Sequence, residues 1–97
     1  MLTGKQRSYL RGLANGLDVT VNIGKMDLTD NIIKLIDANL TANELVKVSI
    51  QDGSELEPKA TCNLIAEKLG ADFVQAIGRR FVLYRQAKDP AKRKIQL

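Results

Sequence analysis

Residues 22–31, NIGKMDLTDN, set Gly24, Lys25, Met26 and Asp27 between an alternating apolar stretch and a helix start. Glycine lets a chain turn sharply and bring its backbone close to a ligand. The N–H groups entering a helix capped at Thr29 lack intrahelical acceptors and lie at the positive end of the helix dipole, which suits an anion such as phosphate. Lys25 would add positive charge there. One glycine is neither a P-loop nor a dinucleotide fingerprint, and on spacing alone a plain strand-to-helix connection is the simpler reading. The second set of candidates is Arg79, Arg80 and Arg85. Arg80 and Arg85 stand five positions apart on one expected strand and so project to opposite faces. Arg79 and Arg80, at a hairpin tip, could reach one ligand backbone, while Arg85 is expected to join the C-terminal tail. A solvated hairpin rim is the competing explanation.

The chemistry that is missing narrows the field. The 97 residues include no histidine and one cysteine, Cys62. Zinc sites and Cys/His or Ser/His nucleophilic centres are therefore excluded, and no metal or cofactor is expected. A single thiol makes no internal disulfide and suits a reducing cytoplasm. Carboxylate pairs remain available in principle for acid–base work, but the acidic residues fall at caps, turns and helix faces where structural roles account for them. The opening MLTGKQRSYL has no apolar signal core, and no apolar run approaches the ~20 residues of a membrane span. A cytoplasmic protein with no membrane partner and no small-molecule substrate is expected.

Charge supplies the positive signal. The net +4 is unevenly placed. Residues 79–97 carry Arg79, Arg80, Arg85, Lys88, Lys92, Arg93 and Lys94 against Asp89 alone, a net of +6, whereas residues 1–78 carry a net of −2. A clustered basic segment is the electrostatic footprint of a nucleic-acid binder. Tyr9, Phe73, Phe81 and Tyr84 form no base-stacking motif of the RNP type. Phe73, Phe81 and Tyr84 are expected in or beside the core, which leaves backbone and shape as the features to recognise.

These side chains must be positioned by a single domain. Thr3 and Gln6 have capping-box spacing, so a first helix begins near Gly4, buries Leu10, Leu13, Ala14 and Leu17, and ends at Gly16. Lys5, Arg7 and Arg11 lie largely off that apolar side. Val19, Val21 and Ile23 alternate with polar neighbours over residues 18–23, a strand. A second helix, capped by Thr29, carries Ile32, Ile33, Ile36 and Leu40 and ends around Asn43. Residues 44–50 form a second strand. Ser54 and Glu57 again have capping-box spacing for a third helix with Ala60, Leu64, Ile65 and Leu69 buried, stopped by Gly70. DFVQAI and RFVLYR then form a hairpin, with Gly78 at the first central position of a type II′ turn. The order is α-β-α-β-α-β-β, an α/β fold with a four-stranded mixed sheet and packed helices, its strand order left open. Residues 1–86 are expected to be the domain and 87–97 a basic tail, extended or mobile.

Several segments taken together resemble one family: LRGLANGL (10–17), VNIGKMDLTDNIIKLID (21–37), ELVKVSI (44–50), IAEKLGA (65–71) and VQAIGRRFVLYR (74–85). In this order they are similar to the bacterial YhbY proteins, single-domain members of the CRM (chloroplast RNA splicing and ribosome maturation) group. The resemblance implies an RNA-binding domain, with a fold similar to the C-terminal domain of translation initiation factor three. Bacterial members are associated with precursors of the large ribosomal subunit. The resemblance also implies a GxxG loop that clamps a nucleic-acid backbone. Gly24 matches its first glycine, Lys25 and Met26 its variable pair, and Asp27 stands where the second glycine belongs. Aspartate tolerates a left-handed backbone better than most residues, but its carboxylate would repel a phosphate. Asp27 is therefore expected to turn away and cap the following helix while Lys25 faces the ligand, so that Asp27→Gly binds equally or more tightly.

The expected function is a monomeric, non-catalytic protein binding ribosomal RNA during large-subunit assembly. Gly24, Lys25, Met26 and Asp27 would hold the backbone, with Lys5, Arg7, Arg11, Arg79, Arg80, Arg85 and the tail supplying a surrounding field. An Alba-like nucleic-acid-compacting module and a ribosome-associated protein adaptor are the alternatives.

Overall fold

The computed structural model describes residues 2–24 and 28–97. Helix α1 spans Gly4–Ala14, strand β1 Val21–Ile23, helix α2 Asp30–Asn43 and strand β2 Leu45–Ile50. Helix α3 (Pro58–Leu69) and strands β3 (Asp72–Ile77) and β4 (Arg80–Tyr84) follow, and a 3₁₀ turn at Pro90–Lys92 lies in the tail. The expected element order and mixed sheet are present. Strand order is β1-β2-β4-β3, with β1 and β2 parallel and both other pairings antiparallel. The β1-α2-β2 crossover thus joins neighbours. The crossover through α3 instead delivers β3 parallel to β2 but with β4 inserted between them.

The sheet separates two cores. Alternate strand positions point to opposite faces. Val21, Ile23, Val46, Val48, Ile50, Phe81 and Leu83 pack under Ile36 and Leu40 of α2 and Cys62, Ile65 and Ala66 of α3. On the other face Leu45, Val74, Val82 and Tyr84 pack against Leu2, Leu10 and Ala14. The molecule is therefore three layers, two helices over one face and a single helix over part of the other.

Local signals set most element ends. The Thr3–Gln6 capping box is complete, with Gln6 N–H donating to Thr3 Oγ1 at 3.1 Å and Thr3 N–H to Gln6 Oε1 at 3.0 Å. Thr29 accepts from Ile32 N–H as expected. Gly70 ends α3 at φ +63°, and Gly78 turns the β3–β4 hairpin at φ +59°.

Four details differ from the sequence reading. The first strand is shorter, three residues rather than six, because only Val21–Ile23 pair with β2. Helix α1 stops at Ala14, two residues before Gly16, with Asn15 as its C-cap. The cap of α3 is Glu57, which accepts from Lys59 and Ala60 N–H, while Ser54 accepts from Leu56 N–H in the preceding turn. The buried face of α3 is Thr61, Cys62, Ile65 and Ala66, rotated from the expected stripe, and Leu64 is exposed.

Candidate functional site

The register builds the site from one row of side chains. Asn22 pairs with Ser49, Ser49 with Arg80, and Arg80 with Ile77, so one residue from each strand lies side by side. Parity places this row on the α1 face, since Val82, two residues from Arg80, packs against α1. Helix α1 does not extend over it: Asn22, Arg80 and Ile77 are exposed, Ile77 to 69%. The next row inward is Lys47, Val82 and Gln75. Lys47 donates to the carbonyls of Ala14 and Leu17 at 3.2 and 3.4 Å and so fastens the end of α1 to the sheet. The uncovered part of this face thus combines polar Asn22 and Ser49, basic Arg80 and apolar Ile77, next to the end of β1 where Gly24 follows.

Gly24, Arg79 and Arg80 meet at that end. Ile23 pairs with Ile50, and Ile50 N–H donates to the Arg79 carbonyl at 2.7 Å. Arg79 is half-buried, and its Nη2 donates to the carbonyls of Ser54 at 3.1 Å and Gln51 at 3.4 Å. Its Nε is buried with no partner among the described residues. Arg79 therefore shapes the turn after β2, whereas Arg80 presents its guanidinium to solvent. At Gly24 the backbone is not left-handed, and an added Cβ would meet only Gln51 Oε1 at 3.5 Å, an ordinary contact. Folding of the described neighbourhood does not demand glycine there. Lys25, Met26 and Asp27 lie outside the described residues.

On α1, Arg7 Nε donates to the Phe73 carbonyl and Arg11 Nε to the Val74 carbonyl, both at 3.2 Å. The pair, four residues apart, shares one flank of the helix and straps it to the edge strand β3, leaving the terminal amino groups for other partners. Leu13 lies on the opposite flank, in a groove with Leu45, Asn43, Lys94 and Ile95 at the far end of the sheet. Arg7 and Arg11 thus lie along the β3 edge, at positions three to four residues before Ile77. Lys5, about 200° of helical rotation from Arg7, does not share that flank.

Arg85 belongs elsewhere. Its Nη1 contacts Asp37 Oδ1 at 2.7 Å and the Leu69 carbonyl at 2.9 Å, and its Nη2 contacts the Asp37 carbonyl and Thr41 Oγ1 at 3.1 and 3.0 Å. It clamps α2 to the C-terminus of α3, where a cation suits the helix dipole.

The tail is also tied down. Glu44, fully buried, accepts from Ala87 N–H at 2.7 Å through Oε2, and from Lys94 and Ile95 N–H at 2.6 and 3.0 Å through Oε1. Burial opposes its ionisation, but these three donors and nearby Arg93 outweigh that and hold its pKa below the ordinary value. Where the sequence reading expected an extended or mobile tail sharing one field with the loop, the structure docks it at the other end of β2, about 17 Å away along six residues. Buried Cys62, its thiol pushed up to about 12 by burial, is core rather than chemistry. No helix among the described residues is long and apolar enough to cross a membrane.

Asn22, Ser49, Gln75, Ile77 and Lys47 were not singled out from sequence. For Asn22, Lys47 and Ser49 the signal was there, in polar positions alternating with valine and isoleucine, but only register shows that they adjoin.

A mixed sheet with two helices on one face and one over part of the other defines a small α/β domain with part of one sheet face left open. Residues 2–85 match the model of the CRS1 / YhbY (CRM) domain, and the chain belongs to that family, which is non-catalytic. It is 37% identical over 89 residues to the Bacillus subtilis (strain 168) protein named Probable RNA-binding protein YqeI, covering 92% of this chain and 93% of that one. A Haemophilus influenzae protein named RNA-binding protein is 34% identical over 96 residues, 99% of this chain and 94% of that one. The solution structure of SAV1595 from Staphylococcus aureus superimposes with a TM-score of 0.81 at 36% identity, covering 99% and 100% of the two chains.

Proposed function

We propose that this protein binds RNA without catalysis, through the backbone and shape of the strand, and that its target is ribosomal RNA in large-subunit precursors. The observation that carries the proposed binding surface is the row of exposed Asn22, Arg80 and Ile77 with half-buried Ser49 beside Gly24. A phosphate chain laid across it would meet Arg80 and, further along the β3 edge, Arg11 and Arg7, with Arg79 supporting the turn beneath; Lys25, Met26 and Asp27, which follow Gly24 in the sequence, are proposed to add to the contact. Ser49, Asn22 and Gln75 offer hydrogen bonds to ribose or phosphate, and Ile77 gives a sugar or base an apolar surface. Lys5 and Arg85 contribute long-range field rather than contact. The names of both relatives support RNA as the ligand, and the resemblance to YhbY proteins supports the ribosomal target.

The test is a titration of fluorescent large-subunit ribosomal RNA fragments at several salt concentrations, with duplex DNA as control. Contact with about five phosphates gives a log–log salt slope near −3 to −4. Arg80→Ala should weaken binding and make the slope shallower by about 0.7. Gly24→Ala should leave stability nearly unchanged, since its space and backbone accommodate alanine, yet weaken RNA binding by blocking close approach. Equal affinity for DNA, or indifference to both substitutions, would refute the proposal.

A further inference from the structure

Glu44 spends its buried carboxylate in an unusual place. A carboxylate beside a basic tail would ordinarily pair with a lysine or arginine, but this one takes only the backbone N–H groups of Ala87, Lys94 and Ile95. The single ion pair among the described residues is Arg85–Asp37. Asp89, the tail's only acidic side chain, is exposed and accepts from Ala91 N–H at the start of the 3₁₀ turn. Arg93 bends back to the Ala87 carbonyl at 2.9 Å. Backbone and acids are thereby used up internally, and Lys88, Lys92 and Lys94 stand exposed without anionic partners. Beside them a groove of about 680 Å³ runs between the tail and the ends of α2 and α3, with Lys88 and Lys92 on its rim; of its two carboxylates, Asp37 is paired with Arg85 and Asp89 accepts from Ala91 N–H.

Resting on the RNA-binding reading above, we propose that segment 87–97, fixed by Glu44, is a second phosphate-binding surface for the same RNA, at the opposite end of the sheet from the Gly24 loop. The two surfaces then act as two points of attachment, and an RNA long enough to reach both gains affinity through effective concentration. A short one does not. The function of Glu44 is positional: it converts a segment with a net charge of +3 from a free polycation into a shaped surface.

The full chain, the variant Lys88→Ala/Lys92→Ala/Lys94→Ala and the variant Glu44→Gln are titrated with single-stranded ribosomal RNA fragments of about 4 and about 16 nucleotides, the range of site sizes used by small single-strand-binding folds. The lysines are exposed, so their removal leaves the fold intact. The lysine variant should lose about tenfold in affinity for the longer RNA, with a salt slope shallower by about 2, and little for the shorter. Glu44→Gln separates shape from charge. It removes a negative charge and keeps every lysine, so a free polycation predicts equal or tighter binding, whereas a positioned surface predicts weaker binding of the longer RNA only. Amide exchange provides the structural readout: Ala87, Lys94 and Ile95 should lose protection while Val48 and Phe81 keep theirs. Equal losses on both lengths, no loss, or tightening by Glu44→Gln would overturn the second surface and leave RNA binding in place. Failure of the wild type to bind either RNA in a salt-dependent way would overturn both.

Discussion

Glu44 is the residue whose environment departs furthest from its type. It is the only non-glycine among the described residues with positive φ, +66°, a conformation that costs of order 1–3 kcal/mol. It persists because its surroundings over-determine it: its N–H donates to the Leu40 carbonyl at 2.9 Å, its carbonyl accepts from Arg85 N–H at 2.8 Å, and its side chain holds three more donors. Its pKa is depressed, so the native state releases this proton more readily than the unfolded chain. The stabilisation is fully present above the ordinary value of 4.5 and disappears as the pH falls through the lower folded-state value. Urea unfolding followed as a function of pH should show stability falling below about pH 4.5, with a flatter acid limb in Glu44→Gln. A variant with an unchanged acid limb would contradict the role given to this carboxylate.

Among the elements, α3 shows how two local rules compete for one site. SELEP offers both a capping box from Ser54 to Glu57 and a proline suited to a helix's first turn. Pro58 prevails because its missing N–H and fixed φ belong at the first helical position, which makes Glu57 the N-cap. Its carboxylate takes two free N–H groups, Ala60 at 2.6 Å and Lys59 at 3.2 Å, and complements the dipole. Glu57→Ala should cost about 1 kcal/mol, the ordinary value of a lost cap. Ser54→Ala, which removes only a turn bond to Leu56, should cost less. Thermal or urea denaturation of the two variants compares them directly, and the reverse ranking would restore Ser54 as the cap.

For the whole molecule the consequential feature is polarity along the sheet. One end carries the Gly24 loop, Arg79 and Arg80, and the other carries Glu44, Arg85 and the docked tail. The tail also contributes Ile95 to the core beneath α1, so it is coupled to the domain rather than appended to it. Deleting residues 87–97 removes all three backbone donors to the Glu44 carboxylate and should cost about 2 kcal/mol. Glu44→Ala should cost a similar amount, and the two changes together little more than either, because both remove the same interaction. Equilibrium unfolding of the four proteins completes the cycle. Additive losses would mean that the tail stabilises the domain by some other route.

The element order, the caps at Thr3 and Thr29, the stop at Gly70 and the hairpin at Gly78 were legible in the sequence, because each depends on residues within one or two turns of one another. So were the basic end of the chain and, through five ordered segments, the family. Pairing decided the rest. That β4 inserts between β2 and β3 depends on which strand edges meet, and hydrophobic alternation is the same for either order. Whether basic residues share a surface depends on register and helix rotation: Arg80 comes to lie beside Ser49, next to Asn22, Arg7 and Arg11 reach the carbonyls of the β3 edge, and Lys5 lies on another flank of α1. Arg85 looks like one more cation in a basic run until its partners Asp37 and Thr41 arrive from α2, 48 and 44 residues earlier. The donors to Glu44 lie 43 to 51 residues along the chain, a separation at which local pattern carries no information and only the closed sheet brings the groups together.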